Sequence, residues 1–133
     1  MSIFKMYSLP MVTSRSELGV LGEDFASEYL KKLGWDIIER NHREKWGELD
    51  IIAMSNEGVL VFVEVKTMRG DGKGILAPED QMTKSKFKKF SRAASMYAEM
   101  NENLVKDEKG WRMDVIALNQ KNDGFDLRHY ENV

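Results

Sequence analysis

The sequence predicts a single α/β domain, on three observations. Its 133 residues fit one core of ordinary size, and a division in two would leave each half marginal. Hydrophobic residues make up 42% and charged residues 32%, with only 2 Pro, a mixture that can bury a core and is not that of a disordered chain. Two stretches carry apolar residues at helical spacing, and between and after them lie short runs of β-formers bounded by turn residues. The domain spans residues 1–133, with residues 1–13 as an N-terminal extension that is free to be flexible.

Ser14-Arg15-Ser16-Glu17 has the spacing of a capping box and opens the first helix. Leu18, Leu21, Phe25, Tyr29 and Leu33 follow at helical spacing, Asp24, Glu28 and Lys31 take the other face, and Gly34 is a natural stop. Glu23 falls on the flank of the apolar stripe, an unusual place for a carboxylate. Trp35 to Ile38 reads as a short strand, followed by a polar loop from Arg40 to Lys45. Leu49–Met54 and Val59–Lys66 read as strands joined by the turn Ser55-Asn56-Glu57-Gly58, a hairpin. The segment 67–82, with Gly70, Gly72, Gly74 and Pro78, is expected to be a mobile loop. Thr83 caps a second helix with Phe87, Phe90, Ala94 and Tyr97 on its apolar side and an end near Asn101 or Asn103. Trp111–Leu118 and Phe125–Tyr130 read as two last strands around Asn122-Asp123-Gly124.

Composition narrows the function. The chain has no Cys, which excludes disulfide scaffolds, thiolate metal sites and Cys nucleophiles and suits a reducing, cytoplasmic setting. It has no apolar run near the roughly 18–20 residues of a membrane span, and no phosphate-cradling Gly-rich motif, so neither a membrane nor a nucleotide cofactor is expected. The net charge of -2 excludes a polycationic coat protein, yet residues 66–98 hold eight basic side chains against three acidic ones. Lys84, Lys88 and Arg92 form one stripe on the second helix with Lys86 and Lys89 beside it, suited to a phosphate backbone or equally to a solvated helix face. Arg69 and Lys73, on the Gly-rich loop, are placed to close over bound nucleic acid, with a plain surface loop the equal alternative.

The chemistry concentrates in the hairpin. Leu60, Phe62, Glu64 and Lys66 share one face of their strand, so two charged groups end an apolar row. With the turn centred on Glu57, facing positions sum to 114 and Asp50 lies opposite Glu64. A slip of one residue would put Asp50 on the other face. Two neighbouring carboxylates stay ionised together only beside a cation, and hard oxygen ligands suit Mg²⁺ or Mn²⁺. The competing view is a solvated hairpin with a weak Glu64–Lys66 ion pair. Glu48 shares strand parity with Asp50 but is as well explained by the Trp46-Gly47 turn. Arg112 and Asp114 read as a structural ion pair, and His42 and His129 as isolated histidines without partners at ligand spacing.

Glu23, Asp50 and Glu64-Val65-Lys66 resemble, in order and spacing, the signature of the PD-(D/E)XK nuclease superfamily, most closely its Holliday-junction-resolvase-like branch. Gly22-Glu23, Arg40-Asn41, Gly47-Glu48-Leu49-Asp50, Val61-Phe62-Val63-Glu64-Val65-Lys66-Thr67, Lys86, Ala93-Ala94, and Arg112 with Asp114-Val115 resemble the bacterial YraN-like family, over about Gly19 to Val115. The resemblance implies a restriction-endonuclease-like core, a mixed β-sheet flanked by α-helices, with a metal site at the sheet's edge. It implies phosphodiester hydrolysis of DNA, structured or branched, with Asp50 and Glu64 holding Mg²⁺ or Mn²⁺. Lys66 would position or help deprotonate the attacking water, and Glu23 would support the metal or a second one. Leu49 stands where the signature's name has Pro, as in other members with a hydrophobic residue there. By the same analogy a homodimer is expected. The nucleic-acid contacts would come from Arg69, Lys84, Lys86, Lys88 and Arg92. Two other classes stay open: a nucleic-acid-binding module on this fold that does not cut, and a purely structural interaction domain.

Overall fold

The computed structural model describes residues 2–4, 14–69, 82–106, 108–122 and 124–133. In chain order the elements are β1 (Ser2–Phe4), α1 (Arg15–Lys32), β2 (Asp36–Glu44), β3 (Gly47–Met54), β4 (Leu60–Arg69), α2 (Lys84–Met100), a 3-10 turn (Glu102–Leu104), β5 (Trp111–Lys121) and β6 (Gly124–Tyr130). They form one six-stranded sheet in the order β1-β6-β5-β4-β3-β2. Only β4 and β5 run parallel, so the sheet is mixed. The class is α/β, and the arrangement is consistent with a restriction-endonuclease-like core.

Both helices start where their caps predict. Ser14 Oγ accepts the Glu17 backbone N–H at 3.1 Å, and Thr83 Oγ1 accepts that of Lys86 at 3.1 Å. Gly34, at φ +90°, ends α1 in a conformation that suits glycine. The helices cover opposite faces of the sheet. Leu18, Phe25, Ala26, Tyr29 and Leu30 of α1 pack with Ile51, Ala53, Val61, Val63, Ile116 and Leu118. Phe90, Ala93, Ala94, Tyr97 and Ala98 of α2 pack with Leu49, Ile52, Leu60, Phe62 and Met113. The alternation of β4 is thereby explained, with odd residues toward α1 and even residues toward α2.

Two sequence expectations need correction. The strand after α1 continues through the expected loop to Glu44, because β2 lies at the rim of the sheet, where one side needs no neighbour and polar side chains are tolerated. Thr67, Met68 and Arg69 belong to β4, held by parallel pairing with Leu118, Asn119 and Gln120 of β5, and are not loop. Residues 70–81 of that expected loop, including Lys73, lie outside the described residues. Within the N-terminal extension, Ser2–Phe4 pair antiparallel with Phe125–Leu127 of β6.

Gly22 marks the closest approach of α1 to β4. A Cβ there would lie 2.1 Å from Thr67 Oγ1 and 3.0 Å from Thr67 Cβ. Gly22→Ala is therefore expected to push α1 away, cost roughly 1–3 kcal/mol in urea denaturation, and displace the adjoining Glu23.

Candidate functional site

The expected hairpin register is the one observed: Ile51↔Val63, Ile52↔Phe62, Ala53↔Val61 and Met54↔Leu60 each sum to 114. The paired run ends at Ile51↔Val63, and beyond it β3 and β4 part into a fork. Asp50 stands in that fork. Its Oδ2 accepts the Val65 N–H at 2.9 Å, standing in for a strand partner on that side of β4. Its carboxyl also shares a hydrogen bond with the Glu64 side chain.

A cavity of about 600 Å³ opens at the fork, lined by both carboxyls together with Glu23, Lys66, Arg69 and Lys86. The cavity thus lies where two inner strands separate. Elements on both faces supply it: Glu23 from α1, and Lys86 from the first turn of α2.

The electrostatics are those of two acids crowded together. Burial, and then the Asp50 charge, push Glu64 up to about 8, while Lys86 opposes the rise. Burial also raises Asp50, against the hydrogen bonds it accepts from Val65 and Glu64. Glu23 is raised by burial and by Asp50, with Arg40 and the Asn41 amide pulling the other way. Arg40 Nη2 lies 2.8 Å from Asp24 Oδ1 and 4.0 Å from Glu23 Oε1, so Glu23 faces the cavity with a cation at its back. Glu23 does not close with Asp50 and Glu64 into a tight triad, since the three do not all come within 4.8 Å of one another. The donor set fits a hard divalent cation: half-buried carboxylate oxygens from two strands, with unfavourable charge that such an ion would relieve.

The other candidates sort by position. Lys84, Lys88 and Arg92 are exposed along α2, while Lys86 reaches the cavity. Arg69 ends β4 and lines the cavity, so it sits on a strand and not on a loop. Glu48 is exposed and pairs with Arg43 at 3.3 Å, outside the cavity.

The histidines are not isolated. His42 bonds Glu39 and packs edge-on against Tyr97, with ring centroids 5.0 Å apart. His129 Nε2 lies 2.7 Å from Asp114 Oδ2 and its Nδ1 3.1 Å from Tyr29 Oη. With Nε2–H donating to Asp114, Nδ1 is left to accept the tyrosine hydroxyl. Arg112 binds Asp114 through Nε at 3.0 Å, Glu131 at 3.0 Å, and stacks on Trp35. Among the described residues, Asp114, His129 and Glu131 are the one grouping of three ligand atoms within 4.8 Å. Yet Asp114 already accepts four bonds, from Arg112 Nε and Nη2, His129 and the Asn132 N–H, and Arg112 supplies the positive charge. This cluster is a structural network; the expected Arg112–Asp114 pair is its centre.

The family model described as "Uncharacterised protein family UPF0102" matches residues 22–118. The chain belongs to the UPF0102 family. UPF0102 proteins of Syntrophotalea carbinolica (38% identity, 90% of this chain and 93% of that one) and Flavobacterium johnsoniae (34%, 89% and 94%) are among its relatives. A UPF0102 protein of Mycolicibacterium smegmatis is 42% identical over 79% of this chain and 82% of its own. The matched UPF0102 region contains Glu23, Asp50, Glu64, Lys66 and Lys86, and also Asn41, to which the sequence analysis gave no role. The solved structure of Pyrococcus furiosus SfsA in complex with Ca²⁺ aligns with 18% identity and a TM-score of 0.31 over 88% of this chain and 63% of that one, too distant for inference. Among the described residues of this UPF0102 protein, no helix is long and apolar enough to cross a membrane.

Proposed function

We propose that this UPF0102 protein is a metal-dependent DNA endonuclease of the PD-(D/E)XK type, acting on structured or branched DNA with Mg²⁺ or Mn²⁺. One observation carries the proposal: Asp50 and Glu64, on separate strands, bring their carboxyl groups into contact inside a cavity that Lys66 and Lys86 also line. A purely structural hairpin would gain nothing from holding two half-buried acids against each other.

Asp50 and Glu64 would hold the ion, and Glu23 would stand at the rim as a further oxygen donor. When bound, a divalent ion offsets phosphate charge and lowers the pKa of a coordinated water. Lys66, beside Glu64 on β4, orients the attacking water and the charge of the phosphoryl oxygens. The attacking water releases a proton to solvent as its oxygen forms the new bond to phosphorus and the bond to the leaving sugar oxygen breaks, and a proton from solvent completes the leaving hydroxyl. Lys86 and Arg69 add positive charge at the cavity wall, where the phosphate must enter.

Cleavage of flapped, branched and single-stranded DNA with Mg²⁺ or Mn²⁺ tests this proposal, beside Asp50→Ala and Glu64→Ala. Both substitutions are expected to remove activity, and cleavage that survives both would end the proposal.

The exposed basic stripe favours a second possibility, a module that binds nucleic acid without cutting it. Charge reversal at Lys84, Lys88 and Arg92 should weaken DNA binding and lower its salt slope by about one per residue. Binding so reversed, with no Mn²⁺ heat in calorimetry, would favour the module over the nuclease. A homodimer is proposed for the branched-DNA case and would appear in sedimentation.

A further inference from the structure

Residues two apart in a strand share a face, and here two adjacent strands break that rule at one place. In β2, Arg40 reaches Asp24 of α1, whereas the His42 ring packs on Tyr97 of α2, on the opposite face. In β3, Leu49 belongs to the core under α2 and Ile51 to the core under α1. The pairing joins the two breaks: Arg40 faces Ile51 and His42 faces Leu49, and the ladder skips the intervening position, which Asn41 holds on β2 and Asp50 on β3. Asn41 has φ +53°, in the left-handed region, midway along a strand. For residues other than glycine that conformation is costly, and asparagine tolerates it best.

We infer that Asn41 is a positioning residue of the metal site, its left-handed backbone making the shared kink that turns Asp50 into the fork between β3 and β4. The inference rests on the nuclease function proposed above. Strain of this kind persists where the surrounding structure needs it, and here it coincides with an acid that bridges β3 to β4. The side chain has a second task. The Asn41 side chain is also near enough to Glu23 to favour that acid's charged form.

Substitution separates the two tasks. Asn41→Gly keeps the left-handed backbone and removes only the amide; Asn41→Val and Asn41→Ala oppose that backbone, valine more strongly. Mn²⁺ binding is measured by calorimetry and electron paramagnetic resonance on the full chain. Asn41→Val is expected to weaken binding by about tenfold or more, in the range seen for residues that orient ligands. Asn41→Gly should retain most of it, losing no more than Glu23→Gln does, and the double variant Asn41→Gly/Glu23→Gln should be no weaker than Glu23→Gln alone. If the valine variant does not fold, the alanine variant decides, with a smaller loss in the same direction. Wild-type affinity in the folded valine or alanine variant, or an equal loss in the glycine variant, would overturn the role of Asn41 alone. A wild-type chain that binds no Mn²⁺ would instead overturn the nuclease proposal and this inference together.

Discussion

Glu64→Gln is expected to raise the melting temperature of the metal-free protein at pH 8 by roughly 5–10 °C, while removing Mn²⁺ binding and lowering cleavage by on the order of a thousandfold or more. The reason is the raised affinity of Glu64 for its proton in the fold, about 8 against about 4.3 for an unfolded chain. Between those values the native state holds more protons than the unfolded state, so stability falls as pH rises through that window. The full shift sets an upper bound of about 5 kcal/mol. Screening by water in the open cavity reduces it, and we expect about 2 kcal/mol. Glutamine removes the penalty, so the gain should vanish near pH 4, where Glu64 is protonated in both states. In the wild type, saturating Mn²⁺ should supply comparable stabilisation, about 2.7 kcal/mol at one hundred times its dissociation constant. The variant should show none. Differential scanning fluorimetry across pH, with and without Mn²⁺, reads both effects; a variant no more stable than wild type at pH 8 would contradict the account.

Asp114→Ala is expected to cost roughly 3–5 kcal/mol, the range for removing one partner of a buried ion pair. Asp114 is fully buried and accepts four hydrogen bonds, and its loss would leave Arg112 and His129 without their common acceptor. Burial alone would raise this acid, but His129, Arg112 and the Asn132 N–H hold it below the usual carboxylate range. The sign is then opposite to that of Glu64. The stabilisation from Asp114 is fully present above the ordinary value of about 3.9 and is lost as pH falls through its lower folded value. Urea denaturation at pH 7 and pH 3 checks this, with the difference between wild type and variant expected to shrink at the lower pH.

Much of the site was legible because its signals are local. The Ser55–Gly58 turn and the alternation of Leu60 to Lys66 fix the hairpin register, and the register brings Asp50 to Glu64. Glu23 could be placed from helical spacing alone. What escaped has no local signal. Nothing apolar marks Asn41 to Glu44 as strand, because an outer strand needs little burial. The reversal at Asn41 is a tertiary event, and asparagine merely permits it. His129 looked isolated since its partners lie far away in sequence: Asp114 is 15 residues off and Tyr29 is 100. Parallel pairing with β5 extended β4 through Arg69, a contact that joins segments about 50 residues apart.

The most direct test is diffraction from crystals soaked in Mn²⁺, read at the manganese absorption edge. An anomalous peak between Asp50 and Glu64, with carboxylate oxygens at about 2.0–2.2 Å, is the predicted result. A protein that takes up no Mn²⁺ there, or takes it up only beside Asp114, His129 and Glu131, would contradict it.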